Sequence, residues 1–193
     1  MIDSWVRAVN AVIRGEAAGY RLIRVGPTPA ELRKFGLLAA DLAMSAAKVA
    51  RIRREHPEVS LKALHALPEL LGDPLAVFPS VRRDRSVVLV LVLVVRAASG
   101  DPLIGIVIPD AVAGRNIVLS VYGKDNGHAW VRAQLAYARE EGLEVYESEG
   151  FAASVPKPGS VSEDTIPSSP GPIPVDGTAK PMRDILSLRK KST

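Results

Sequence analysis

The chain has 193 residues, of which 47% are apolar and 24% charged, a composition that is typical of one folded domain and excludes a wholly disordered protein. It contains no cysteine, which excludes disulfide scaffolds, thiolate zinc sites and cysteine nucleophiles. The formal net charge of +4 divides into +5 for residues 1–56, −3 for residues 57–150 and +2 for residues 151–193. A basic N-terminal part favours a phosphate-bearing partner, although a basic helix face is also common as plain solvated surface.

The first segment, residues 1–21, is predicted to contain an amphipathic helix. Its apolar residues recur at helical spacing and form no continuous signal-peptide run: Trp5, Val6, Val9, Val12 and Ile13. The most apolar run of the chain, Val87–Val95, has nine residues, whereas a membrane-spanning helix needs about 20. We therefore expect no membrane segment and a cytoplasmic site of action.

A long helix is predicted from Thr28 to His56. Thr28 would cap it and Glu31 would complete a capping box. An apolar stripe at spacings of four and three follows, made of Leu38, Leu42, Ser45, Val49 and Ile52. Pro57 disfavours helical geometry at His56 and should end the helix there. A further helix is predicted over residues 60–68.

The second half of the chain has the pattern of strands. They are predicted at residues 75–80, 87–95, 103–108 and 117–122, with a turn at 82–85, a loop at 123–127, a helix at 129–141 and an edge strand at 143–146. Helices that precede strands with short connections indicate an α+β fold, with the helices on one face of a four- to five-stranded antiparallel sheet. Seven of the fifteen prolines lie in residues 151–193, which predicts a disordered tail with a short helix at 182–191.

The motifs of several enzyme classes are absent from the sequence. It contains no phosphate loop, dinucleotide fingerprint, serine elbow or zinc-protease motif, and its three histidines have no metal-ligand spacing. We therefore expect no metal and no cofactor. Histidine, serine, tyrosine, lysine and arginine suffice for a ribonuclease that works by 2′-hydroxyl attack, in which a base and an acid move protons and cations stabilise the phosphate.

Three polar residues alternate along the strand predicted at 117–122 and just beyond it. Ser120, Tyr122 and Lys124 should share one face of the sheet, while Ile117, Leu119 and Val121 face the helices. This face is a candidate site. A solvated sheet face followed by a turn lysine explains the same pattern.

Further candidates lie in the basic helix and at the end of an earlier strand. His56 ends the helix, with Lys48 on the same side, and histidine suits acid–base chemistry near neutral pH. A histidine there also simply complements the helix dipole. Arg51 and Arg54 are, with Lys48, candidate phosphate contacts. Ser80 is a candidate at the end of the strand 75–80, where serine is commonly a turn former.

Four segments carry a resemblance to a known family. They are RVGPTPAELRKFG (24–36), HPEVSLKALHALPELLGDPLAVFPS (56–80), DPLIGIVI (101–108) and NIVLSVYGKDN (116–126). Together they resemble the phage MuF C-terminal domain, which occurs at the ends of phage head-morphogenesis proteins and of polymorphic toxins. The resemblance spans about residues 22–147, so we assign residues 22–150 to this domain.

The resemblance implies a metal-independent ribonuclease toxin of the barnase–EndoU–colicin–RelE class, with N-terminal helices followed by a roughly four-stranded antiparallel sheet. It draws attention to five positions: His56, Ser80, Ser120, Tyr122 and Lys124. It also implies RNA as substrate, with tRNA as one candidate, and an acidic immunity protein as neutralising partner. The alternative is an inactive phage-derived module that binds nucleic acid or a phage structural protein through its basic helices.

Overall fold

The computed structural model describes residues 2–80, 88–96 and 101–154. The helices in this part of the chain are α1 (Ile2–Ile13), α2 (Ala30–Arg33), α3 (Ala46–Glu55), α4 (Leu61–His65), α5 (Leu67–Gly72), α6 (Gly127–Glu140) and α7 (Glu149–Ser154). The strands are β1 (Leu22–Pro27), β2 (Asp41–Ser45), β3 (Ala76–Pro79), β4 (Leu89–Arg96), β5 (Pro102–Asp110), β6 (Arg115–Gly123) and β7 (Tyr146–Glu147). The turn predicted at 82–85, and the predicted tail from residue 155 onward with its helix at 182–191, lie outside the described residues.

The strands form one mixed sheet in the order β1-β2-β6-β5-β4-β3-β7. Neighbouring strands run antiparallel except β2 and β6, which run parallel through the pairs Leu42–Asn116 and Ala43–Ile117. The predicted α+β class is confirmed, whereas the prediction of four to five strands, all antiparallel, is wrong. The sequence between β2 and β6 includes three helices and three strands, so this connection is long enough for a parallel return.

Helices cover both faces of the sheet, so the prediction that they cover one face is also wrong. The reason is visible in β4, whose leucines and valines point to opposite sides. Leu89, Leu91 and Leu93 join a core with α1, α3, α4 and α5. Val88, Val90 and Val92 join a second core with α6 and Phe151 of α7. An uninterrupted apolar run is what a strand buried on both faces requires.

The long helix predicted from Thr28 is wrong in its first half. The chain forms only the four-residue α2, turns at Gly36 with a φ of +88°, and then enters strand β2. Thr28 caps no helix, because its hydroxyl oxygen accepts a hydrogen bond of 2.7 Å from the buried Asn116 side chain. Pairing of β2 with both β1 and β6 overrides the local helical pattern.

The second half of that prediction is confirmed, and it places the first candidate residue. Helix α3 begins after Ser45, whose hydroxyl accepts a hydrogen bond from the backbone N–H of Lys48 at 3.1 Å. It ends at His56, whose N–H donates to the carbonyl of Ile52 at 2.9 Å. Ser60 caps α4 in the same way as Ser45 caps α3.

The N-terminal helix shares the main core. Trp5 is fully buried and its indole N–H donates to the carbonyl of Leu64 at 2.8 Å, which ties α1 to α4. At the other end of the described chain, β7 pairs with β3 and closes the sheet, as predicted for an edge strand in this region. In the described ranges, every helix is too short or too polar to cross a membrane.

Candidate functional site

Two of the predicted residues meet at the C-terminal end of β6. The rings of His56 and Tyr122 lie 5.8 Å apart between centroids, with their planes tilted by 34°. Their approach follows from the topology, because β2 pairs only with the start of β6, at Asn116 and Ile117. Within the described residues, the rest of that edge of β6 has no strand beside it, and the end of α3 lies there instead.

A third residue joins them, and sequence reasoning missed it. One carboxylate oxygen of Glu58 lies 3.1 Å from Nδ1 of His56 and accepts a hydrogen bond of 3.0 Å from the backbone N–H of Gly123. Since an ionised carboxylate only accepts hydrogen bonds, this contact favours the imidazole tautomer that carries its proton on Nδ1. The other ring nitrogen, Nε2, is then the basic one. The side chain of His56 is 29% exposed, so a ligand can reach it.

Tyr122 is the buried member of this group. It is 9% exposed, and its hydroxyl oxygen makes no hydrogen bond within the described structure. Burial raises the pKa of this phenol to about 12, so it stays protonated at physiological pH. Because the ring is enclosed, Tyr122 supports the His56 ring instead of offering a surface on which a base could stack.

A β-bulge changes the predicted assignment of faces along β6. The pairing with β5 shifts between Ile106 and Val107, which leaves Leu119 as the extra residue of β6. As a result Val118 and Val121 face the core of the N-terminal helices, whereas Leu119 packs on the α6 side. The prediction that Leu119 shares a face with Val121, opposite Ser120 and Tyr122, is therefore wrong.

Ser120 and Tyr122 share a face, as predicted, but α6 covers that face. Ser120 pairs with Ile106 and Tyr122 with Ile104, and both isoleucines belong to the core beneath α6. Ser120 is only partly buried, two residues from the ring that contacts His56. The face is thus the wall of a layer between sheet and helix, and not an open sheet surface.

Lys124 follows β6 and is held by an aromatic ring. Its ammonium nitrogen lies 5.9 Å from the centroid of the Trp130 ring, in a cation–π contact. Trp130 in turn packs against Phe78 of β3, with ring centroids 6.2 Å apart. The positive charge is thereby fixed near the start of α6, one residue after the Gly123 amide that Glu58 binds.

Ser80 lies away from this group. Its backbone N–H donates to the carbonyl of Val88 at 2.6 Å, one position beyond the end of β3. Across the sheet, Tyr122 pairs with Ile104 of β5, Ile104 with Val92 of β4, and Val92 with Ala76 of β3. Ser80 therefore lies three strands away from Tyr122, about 14 Å across the sheet, and four residues beyond Ala76, about 13 Å along the strand direction.

The predicted phosphate contacts lie on α3, where an acidic neighbour already binds two of them. Arg51 forms an ion pair with Glu55 one turn later, and Arg54 binds the same carboxylate at 2.8 Å. These two arginines lower the pKa of Glu55 to about 2, so the carboxylate is charged at every pH at which the protein would act. Lys48 lies in the first turn of the same helix. The basic face of α3 is therefore partly neutralised.

Two other kinds of site, a metal-binding cluster and a cavity for a phosphate group, find no support among the described residues. No group of three or more His, Asp or Glu residues there is arranged to hold a metal ion. A separate cavity of about 240 Å³ lies between α2 and the β3–β7 edge. Its lining includes the carboxylates of Glu31 and Asp73 and no basic residue, and such a lining would repel a phosphate.

Comparison with known proteins matches residues 48–146 to the model of the phage MuF-C-terminal domain. This is about half of the chain, and it contains His56, Glu58, β6 and Lys124 while leaving out α1, β1 and β2. No curated protein and no solved structure matches the chain.

Proposed function

The chain belongs to the phage MuF-C-terminal domain family, and from this premise we propose that it is an endoribonuclease that cleaves RNA without a metal ion. One observation carries the proposal: a histidine and a tyrosine that are distant in sequence meet at 5.8 Å, beside a carboxylate oxygen that lies 3.1 Å from the imidazole Nδ1. A partly exposed imidazole with one nitrogen fixed as a donor is the arrangement that general base catalysis needs.

In the proposed reaction His56 takes the proton of a ribose 2′-hydroxyl onto Nε2. The 2′-oxygen then bonds to the adjacent phosphorus, the bond from phosphorus to the 5′-oxygen breaks, and that oxygen takes a proton from water. The hydroxide that remains takes the proton from Nε2, which regenerates the neutral imidazole. The products are a 2′,3′-cyclic phosphate and a free 5′-hydroxyl end. Lys124, held over Trp130, supplies positive charge for the phosphate, whose negative charge grows in the transition state.

The remaining candidates take supporting roles in this proposal. Tyr122 packs on the imidazole and limits its rotation, and Ser120 lies on the same wall. Lys48, Arg51 and Arg54 add a weak, salt-dependent attraction for the RNA backbone. A domain of this kind would act as a toxin inside bacteria, and an acidic immunity protein would bind its basic surface.

The test is cleavage of a short oligoribonucleotide in EDTA by the full chain. Wild type should produce 2′,3′-cyclic phosphate ends, and a single 2′-deoxy substitution should block cleavage at that linkage. His56→Ala should lower the rate by about 100-fold or more, since a general base contributes roughly 100- to 10,000-fold. Lys124→Ala should lower it as well.

A second histidine provides the matched control. Nε2 of His65 lies 2.9 Å from the Asn10 side-chain oxygen, and in His65→Gln the amide can donate the same hydrogen bond, so cleavage should persist. Intact RNA with wild-type protein, combined with RNA binding that Arg51→Glu and Arg54→Glu abolish, would refute the enzyme and favour the inactive interaction module. Equal cleavage by wild type and His56→Ala would also refute the role of His56.

A further inference from the structure

The residue that has no role in the sequence pattern, Glu58, occupies the centre of the site. One of its carboxylate oxygens joins the end of α3 to the end of β6, through His56 Nδ1 at 3.1 Å and the Gly123 N–H at 3.0 Å. Its side chain is 28% exposed, much like that of His56. We propose that Glu58 is the positioning residue of this site, which sets both the tautomer and the orientation of the His56 ring; this inference rests on the proposed function.

The backbone around Glu58 is built to hold it in place. Pro57 ends α3, and the chain turns back so that the N–H of Val59 donates to the carbonyl of His56 at 3.0 Å. Val59 is fully buried, and its carbonyl accepts a hydrogen bond of 3.2 Å from the Arg53 guanidinium. Glu58 lies inside this closed turn. Its carboxylate is therefore directed at the imidazole by a short, anchored segment.

Two functions meet in this one carboxylate. By accepting a hydrogen bond from the Nδ1–H group, the carboxylate keeps the ring proton on Nδ1, which leaves Nε2 able to accept a proton from a substrate hydroxyl. Binding the Gly123 amide fixes where the carboxylate lies relative to β6, and Lys124 follows directly after Gly123. A glutamate that only stabilised the end of β6 would need the contact with the Gly123 amide and not the contact with His56 Nδ1.

The tautomer of neutral His56 therefore tests the inference without any activity. At pH 8, nitrogen-15 NMR of the imidazoles in wild type should show His56 with its proton on Nδ1. In Glu58→Ala the proton should move mainly to Nε2, and the Gly123 amide proton should shift upfield. His65 is the internal control, because Nε2 donates there to Asn10 and its signals should not change.

A conservative variant separates positioning from folding. Glu58→Gln keeps an oxygen that can accept both hydrogen bonds, so the Nδ1 tautomer should be largely retained, whereas Glu58→Ala should lose it. If His56 keeps the same tautomer in Glu58→Ala while only the Gly123 amide shifts, Glu58 is structural and the inference is overturned. Circular dichroism and urea unfolding identify a variant that has merely unfolded.

RNA cleavage adds a readout that distinguishes this inference from the proposed function. Glu58→Ala should lower kcat by about 10- to 100-fold, as losses of orienting partners do elsewhere, with KM nearly unchanged. If wild type cleaves no RNA but the tautomer shifts as expected, the proposed function fails and the positioning role of Glu58 remains. If wild type cleaves and Glu58→Ala cleaves equally fast, the positioning role fails alone.

Discussion

Removal of the buried hydroxyl of Tyr122 should stabilise the protein, whereas removal of atoms from a core side chain usually destabilises it. The side chain is 9% exposed, and within the described residues its oxygen has no hydrogen-bond partner. A buried polar group without a partner costs about 1–3 kcal/mol. Tyr122→Phe removes that group and keeps the ring, so at pH 7.5 we expect the variant to be more stable than wild type by about 1 kcal/mol.

The same residue should make wild-type stability fall at alkaline pH. Burial raises the pKa of folded Tyr122 from 10.0 to about 12. Above pH 10 the unfolded chain therefore releases this proton while the folded chain retains it, so the unfolded state is favoured increasingly up to about pH 12. Between pH 9 and pH 11 the loss amounts to roughly 1 kcal/mol from this group alone. Tyr122→Phe lacks the group and should not show this component.

Urea unfolding followed by tryptophan fluorescence, at pH 7.5, 9, 10 and 11, measures both effects. Other groups titrate in this range too, but they are common to both proteins, so the difference between wild type and Tyr122→Phe isolates Tyr122. Tyr20→Phe is the control, because Tyr20 is 91% exposed and should follow wild type throughout. The reasoning is refuted if Tyr122→Phe is less stable than wild type at pH 7.5, or if the gap between them does not widen above pH 9.

Three other predictions test particular contacts. Asn116→Asp should cost about 3 kcal/mol in urea unfolding, because it buries a carboxylate whose oxygen faces the carbonyl of Leu38 in place of an amide N–H donor; a loss below 0.5 kcal/mol, roughly the level of a surface change, would contradict this. Gly127→Ala should lower the free energy of unfolding measured in urea, because a Cβ there would lie 2.9 Å from the Pro102 ring at the start of β5. Gly72→Ala is the control: a Cβ there meets open space, so this variant should be as stable as wild type or more stable. Glu55→Gln should tighten the binding of a short RNA at low salt, because it removes the charge that pairs with Arg51 and Arg54. An unchanged affinity would show that this face of α3 does not bind RNA.

The parts of the fold that local chemistry decides were predictable. Pro57 ends α3 at His56, and Ser60 caps the next helix, because both effects involve only neighbouring residues. The strands of the second half were also predicted within a few residues. Their β-branched runs bounded by proline, glycine and aspartate allow few other structures.

The parts that distant contacts decide were not predictable. Thr28 has the residue type of a helix cap, but its oxygen is bound by Asn116, 88 residues further on. Nothing local distinguishes these two uses of one hydroxyl. Likewise the alternation in residues 117–122 gives no sign of the extra residue at Leu119, because a bulge is a property of the pairing with β5.

Glu58 was missed for the same reason. An acidic residue two positions after a histidine is unremarkable in sequence, and its meaning depends on the end of β6 lying beside it. His56 and Tyr122 were each proposed from local patterns, but their contact required the order of strands in the sheet. β2 had to pair with the first part of β6 and leave the second part to α3.

The two ends of the segment NIVLSVYGKDN (116–126) have different tasks in the structure. Asn116 is fully buried, and its side chain forms three hydrogen bonds that hold the segment between β1 and β2. It therefore supports the fold of this chain whether or not the chain cleaves RNA. The proposed activity depends on the other end of this segment, where Tyr122 and Gly123 contact His56 and Glu58. On this proposal, replacing both His56 and Glu58 by alanine while keeping Asn116 should leave a folded chain that does not cleave RNA.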